Sequence, residues 1–98
     1  MALSITNTQG IFEINGSLLA TNVNCFESHF TQLLKTTEKV IVSLDKLHDI
    51  DAYAAQIVTK LYKKAIQSNK IFSVIGKQNN AVQEVFGENS YVLRNDYV

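Results

Sequence analysis

The sequence predicts an α/β domain with a mixed β-sheet and helices packed against it. Two apolar runs, residues 40–44 and 71–75, are each interrupted only by one serine and have the pattern of strands covered on both faces. One amphipathic segment precedes the first run and another separates the two, as helical crossovers between parallel strands would. Ninety-eight residues with 46% apolar content suit one core, so we expect a single domain over residues 1–98.

The chain is expected to open with a hairpin at one edge of the sheet. Leu3 and Ile5 alternate with polar neighbours, and the turn-forming residues 8–10 precede a second apolar strand over residues 11–14. Residues 15–17 (Asn-Gly-Ser) are expected to break that strand.

The first helix is predicted over residues 22–36, with Thr21 or Asn22 as its cap. One face of this helix is apolar, and it carries Val23, Phe26, Phe30, Leu33 and Leu34. The run 40–44 that follows is placed centrally in the sheet.

A second helix is predicted from the cap residue Asp51 to the helix-ending pair Ser68-Asn69. Its apolar stripe consists of Ala54, Val58, Leu61 and Ala65, flanked by Ile57 and Tyr62, with Lys60, Lys63 and Lys64 on the solvated side. After the strand 71–75, Gly76 leads into a short helix, and residues 91–93 add a marginal strand. The predicted order is β-β-α-β-α-β-α.

Composition excludes several classes of function. Nine basic and nine acidic side chains cancel, which removes the charge that non-specific binding to nucleic acid requires. The single cysteine, Cys25, allows neither an internal disulfide nor a zinc site of several thiolates. The first residues lack the pattern of an export signal, and no apolar run is long enough to cross a membrane. We therefore expect a soluble, cytoplasmic protein.

Polar residues cluster between the run 40–44 and the second helix, in a segment that is expected to form a turn. In open α/β sheets, recognition sites concentrate where strands end and helices begin. The sequence here predicts a docking surface for a protein partner, made of Asp45, His48, Asp49, Asp51, Ala52, Tyr53 and Ala54. Asp51 is expected to cap the helix, a role compatible with orienting a partner, and Tyr53 is either incidental surface or an interface anchor.

No competing site has a persuasive spacing of residues. Cys25 and His29 lie four residues apart on the first helix, but they point away from its apolar stripe and have no orienting third residue. Asp45, Asp49 and Asp51 lack the ligand ladder of a calcium loop, and the glycines of a phosphate-binding loop are missing before Gly76. We therefore expect no catalytic residues, no cofactor and no metal.

The chain resembles the STAS domain, which anti-sigma factor antagonists and the cytoplasmic ends of sulphate transporters share. The resemblance rests on pattern and spacing: Gly16-Ser17-Leu18 after the second strand, the apolar strand 40–44, the segment 47–51, and Gly76 closing a later strand. It spans residues 3–88. It implies a regulatory module of protein–protein interaction with a mixed sheet, acting by association and not by chemistry.

The resemblance also implies a phosphorylation site at the start of the second helix. Regulatory members carry Asp-Ser-Ser-Gly there, with the second serine phosphorylated by a kinase that is also the anti-sigma factor. The corresponding residues here are Asp51-Ala52-Tyr53-Ala54, so Tyr53 is the phosphorylation-site equivalent. Ser43 likewise stands where many relatives have an aspartate. A tyrosine hydroxyl lies too far from the backbone to replace the serine, so we expect the docking surface without the serine switch.

Three functions remain open at this point. The first is an anti-sigma factor antagonist-like module whose partner is a kinase-like anti-sigma factor. The second is a cytoplasmic accessory subunit of a membrane transporter for lipids or anions. The third is a binder of small molecules or nucleotides, or an enzyme that uses Cys25 and His29. The identity of the partner and the oligomeric state are not determined by the sequence.

Overall fold

A computed structural model describes residues 3–95 of the chain. The described part contains six strands and three α-helices. The strands are β1 (Ser4–Thr8), β2 (Ile11–Leu18), β3 (Lys39–Ser43), β4 (Leu47–Ile50), β5 (Ile71–Ile75) and β6 (Leu93–Arg94). The helices are α1 (Val23–Thr36), α2 (Ala52–Gln67) and α3 (Asn80–Phe86), and a 3-10 helix (Gly87–Val92) follows α3. None of the helices in this part of the chain is long and apolar enough to cross a lipid bilayer.

The sheet is mixed, as predicted. Its main path runs β1-β2-β3-β5-β6, and β4 pairs with β2 beside this path. β1 is antiparallel to β2, and the remaining pairs are parallel. The hairpin at the sheet edge, the central position of β3 and the marginal last strand are therefore confirmed, although β6 begins only at Leu93 because the 3-10 helix occupies the preceding residues.

The expected break in the second strand is wrong. β2 continues through residues 15–17 and changes partner on the way: its first half pairs with β3, from Ile11 opposite Ile41, and its second half pairs with β4, ending with Leu18 opposite Ile50. The change occurs at Gly16, which has φ +88°, and the register shifts between Gly16 and Ser17. A glycine allows this bulge, because residues with a Cβ rarely adopt a positive φ.

The expected turn between residues 45 and 51 is also corrected, because four of its residues form β4. Leu47 and Ile50 of this strand are buried, while His48 and Asp49 between them are exposed. That spacing lacks the alternation by which strands are recognised in a sequence. The parallel pairing with the second half of β2 supplies the strand's backbone partners instead.

The helices bury the apolar faces that the sequence predicts. α1 packs its buried residues Val23, Phe26 and Phe30 inward, and α2 contacts both α1 and β5. The Phe30 ring lies edge-on to Phe12 at a centroid distance of 5.4 Å and to Phe72 at 6.0 Å, which links α1 to two strands. The lysines of α2 predicted to face solvent are exposed.

Only one face of the central strands is fully covered, contrary to the expectation for β3 and β5. Val40, Val42, Phe72 and Val74 are buried. Most residues that alternate with them are less covered, since Ile41 and Ser73 are half-buried and Ile71 is 53% exposed; Ile75, at the end of β5, is buried. These two strands thus contain more apolar residues than the single, fully covered face of the sheet uses.

Candidate functional site

The start of α2 is fixed by the side chain of Asp51. Its Oδ1 atom accepts a hydrogen bond from the backbone N–H of Ala54 at 2.9 Å, which caps the helix as predicted. Its Oδ2 atom accepts a second one from the backbone N–H of Ala20 at 2.8 Å, in the loop between β2 and α1. Both carboxylate oxygens are therefore engaged within the fold, and Asp51 is half-buried.

The first turn of α2 exposes one large side chain. Tyr53 is 46% exposed and Ala52 is exposed, whereas Ala54 has no exposed surface and Ala55 is 3% exposed. The predicted outward position of the Tyr53 ring is confirmed. Ala54 belongs to the core, so its side chain lies beneath the surface that was predicted to include it.

Four exposed residues of the predicted docking surface follow one another closely along the chain. They are His48, Asp49, Ala52 and Tyr53, which we call the α2 N-terminal surface. The first two project from β4 between the buried anchors Leu47 and Ile50. A strand whose two end residues are buried and a capped helix hold these side chains on rigid elements, as a recognition surface requires.

Asp45 lies apart from this surface, in the connection between β3 and β4. It is half-buried, and its Oδ1 atom is buried without a hydrogen-bond donor in residues 3–95. Burial raises the pKa of the Asp45 carboxyl above its ordinary value of 3.8, and a hydrogen bond from the backbone of Gln78 opposes this shift. Its backbone N–H donates to the Ser43 hydroxyl at 3.4 Å. Asp45 therefore contributes to the shape of the connection more than to the exposed surface.

Asn79 holds the same connection from the other side, and sequence reasoning did not identify it. Its Nδ2 atom donates to the carbonyl oxygens of Leu44, Asp45 and Leu47 at 3.1–3.2 Å. Its Oδ1 atom accepts from the backbone N–H groups of two residues in the first turn of α3, Ala81 and Val82. An asparagine directly before an amphipathic segment is a signal for a helix cap, but nothing in the sequence reveals the three carbonyl partners.

The described residues offer little for catalysis. No group of three or more His, Cys, Asp and Glu side chains between residues 3 and 95 is arranged to hold a metal ion. Cys25 and His29 are exposed and line a shallow hollow of about 620 Å³ with Asn24, Ser28 and Gln32. The His29 ring packs edge-on to Phe30 at 4.8 Å. None of the residues lining this hollow is a carboxylate that could orient the histidine.

The comparison with protein families gives one finding. The family model described as "STAS domain" matches residues 2–88, nearly the whole chain. No curated protein matches the sequence.

Proposed function

Because this chain belongs to the STAS domain family, we propose that it is a non-enzymatic regulatory module that binds a protein partner through the α2 N-terminal surface. STAS domains in general mediate protein–protein interactions. The observation that carries the proposal is the exposed ring of Tyr53 on a helix start that Asp51 fixes to the neighbouring loop. Tyrosine is enriched among the residues that dominate binding energy at interfaces.

Rigidity of the surface supports this role. Asp51 ties α2 to the β2–α1 loop, and Asn79 ties the β3–β4 connection to α3. A surface held in its binding conformation loses less conformational entropy on association than a mobile loop. The ring of Tyr53 adds apolar contact area, while the exposed side chains of His48 and Asp49 on β4 offer polar contacts.

The partner we propose is an anti-sigma factor of the serine-kinase type, by resemblance to the stand-alone antagonists. Neither Ala52 nor Ala54 has a hydroxyl group, and the hydroxyl of Tyr53 is separated from the helix backbone by its ring. A phosphoserine would be stabilised at this helix end by backbone N–H groups and by the helix dipole. Tyr53 lacks that geometry, so association is proposed to be independent of serine phosphorylation.

Site-specific crosslinking in the native cell tests the surface. A photoreactive phenylalanine analogue placed at position 53 is expected to capture one defined partner, whereas the same analogue at Tyr91 is not. Tyr91 is the matched control because it is also an exposed tyrosine, at 60%, and lies in the 3-10 helix. Equal capture from both positions, or capture only from position 91, would contradict the proposal.

Binding measurements with the purified partner then define the contact. We expect Tyr53→Glu to weaken the affinity at least about tenfold, or about 1.4 kcal/mol, and Tyr53→Phe to retain it. Tyr91→Glu is expected to leave the affinity unchanged. A partner that binds wild type and Tyr53→Glu equally does not use this surface.

A second candidate is an accessory subunit of a membrane transporter. The observation that favours it is the missing serine, since a subunit that is permanently assembled needs no phosphorylation switch. The identity of the crosslinked protein separates the two candidates: an anti-sigma factor supports the first, and a transporter ATPase or permease supports the second.

A further inference from the structure

A groove with a basic rim lies between the C-terminal halves of α1 and α2. Its cavity has a volume of about 500 Å³. Leu34, Leu61 and Ala65 provide its apolar lining, and Leu61 and Ala65 are almost fully buried. Three lysines line it as well: Lys35, Lys64 and Lys70. An apolar groove with a few polar groups around it is the usual form of a ligand site.

The groove has a positive charge although the chain as a whole is neutral. No acidic residue lines it, and neither Lys35 nor Lys64 forms an ion pair within residues 3–95. The C-terminal ends of two helices together contribute a negative charge of about 1, since each dipole corresponds to about half a charge. The three lysines carry three positive charges, which exceed this negative charge. Stabilisation of the helix ends therefore explains only part of the lysine cluster.

The three lysines have different roles. Lys70 donates to the carbonyl oxygens of Leu34 and Thr37, and so completes the end of α1. The side chains of Lys35 and Lys64 make no hydrogen bond within the described residues, and the two lysines line the groove from different helices. These two ammonium groups are available to an anionic ligand.

We propose that this groove binds an acidic peptide segment of a partner protein, with one large apolar side chain over the apolar lining and flanking carboxylates on Lys35 and Lys64. The other lining residues favour a peptide over a lipid. The side chains of Thr31, Gln67 and Ser68 make no hydrogen bond within residues 3–95. Peptide N–H and C=O groups would satisfy them, whereas a lipid chain would cover them without partners.

The groove is independent of the α2 N-terminal surface. α2 contains 16 residues, so its two ends lie about 24 Å apart. The proposal therefore goes beyond the proposed function: it gives the domain a second docking site for a different segment, at the opposite end of the same helix. A domain with both sites brings two proteins together.

A titration followed by amide NMR tests the groove with the full chain. The probe is the blocked peptide Asp-Glu-Leu-Phe-Asp-Glu, and two comparison peptides replace Leu-Phe by Ser-Ser or all acidic residues by lysine. We expect chemical-shift changes confined to the C-terminal halves of α1 and α2, saturating below roughly 1 mM. Both comparison peptides are expected to bind at least about tenfold more weakly, and added salt is expected to weaken the acidic probe.

Charge-reversed variants provide the matched control. Lys35→Glu with Lys64→Glu should lower the affinity for the probe at least about tenfold. Lys63→Glu with Lys77→Glu should not, although both pairs lower the net charge by the same amount, because Lys63 and Lys77 are exposed outside the groove. Circular dichroism is expected to show that both double variants are folded.

Three results would overturn the proposal. The first is the absence of shifts in the groove at roughly 1 mM peptide. The second is an equal loss of affinity in the two double variants, which would indicate a response to net charge alone. The third is saturable binding of dodecanoate in the groove without binding of the peptide. Failure of Tyr53 variants to affect the first partner leaves this test untouched, since the two sites share no residue.

Discussion

The carboxylate of Asp51 joins two backbone N–H groups that are far apart in the chain. One belongs to Ala54 in the first turn of α2, and the other belongs to Ala20, 31 residues before Asp51. A single side chain thus caps the helix and closes the β2–α1 loop against it. The residue that the sequence indicates as a cap has a second, tertiary function that fixes how the exposed Tyr53 is presented.

Removing this carboxylate should destabilise the fold. Asp51→Ala leaves two N–H groups without their partner, and we expect a loss of about 2–3 kcal/mol in the free energy of unfolding. Asp51→Asn retains one acceptor oxygen and should lose about half as much. For a domain of this size, thermal melting should show a decrease of about 4–8 °C per kcal/mol.

Asp49→Ala is the control for this prediction, because Asp49 is exposed and makes no side-chain hydrogen bond within the described residues. We expect a change within about 0.5 kcal/mol. If Asp51→Ala were as stable as Asp49→Ala, neither hydrogen bond of the Asp51 carboxylate would contribute measurably to stability.

Asn79 should be at least as important for stability as Asp51. Asn79→Ala removes the acceptor of two capping N–H groups and the donor to three carbonyl oxygens, of which that of Leu44 keeps another donor, the backbone N–H of Leu47. We expect a loss of about 2–4 kcal/mol. Asn79→Asp keeps the cap but places a carboxylate against the carbonyl oxygens, so it should recover little of this stability at neutral pH. Urea unfolding measures both variants.

Asn80→Ala, at the next position, is the matched control and should be close to wild type, since Asn80 is exposed. Full recovery of stability in Asn79→Asp would show that Asn79 acts only as a cap. Amide exchange at residues 45–47 should accelerate in Asn79→Ala if the side chain holds the β3–β4 connection.

The sequence predicts the elements whose signals are local. The helical stripe of α2 and its cap depend on residues within one or two turns, and both are confirmed. The buried face of α1 is confirmed for the same reason. Helical periodicity over several turns repeats the signal often enough to be read.

The missed features depend on partners far away in the chain. β4 has only four residues with buried ends, and its strand character comes from pairing with β2. Asn79 has acceptors 32–35 residues before it. No local pattern contains the pairing of β4 with β2 or the acceptors of Asn79.

Gly16 predicts the end of a strand, but in the structure it allows a bulge within β2. Substitution by L-alanine and by D-alanine tests this role. Gly16→Ala forces an L-residue to φ +88° and should cost about 1–2 kcal/mol. D-alanine at the same position favours positive φ and should cost less. The single Cys25 permits ligation of a synthetic segment 1–24 to the remainder of the chain. Equal stability of the L- and D-variants would show that conformational strain is not the reason for glycine.

Asp45 should make the stability of the protein depend on pH in a defined direction. Burial raises the pKa of its carboxyl above 3.8, so the folded state binds this proton more tightly than the unfolded state. The contribution of this group to the free energy of unfolding therefore decreases as the pH rises from about 3.8 through the folded pKa, and it stays low above that pKa.

Asp45→Asn removes the ionisable group and keeps an acceptor for the backbone N–H of Gln78. Urea unfolding should show this variant to be more stable than wild type near pH 7 and equal to it near about pH 3, where the wild-type carboxyl is protonated. A variant less stable than wild type near pH 7 would mean that the hydrogen bond to the ionised carboxylate outweighs the cost of its burial.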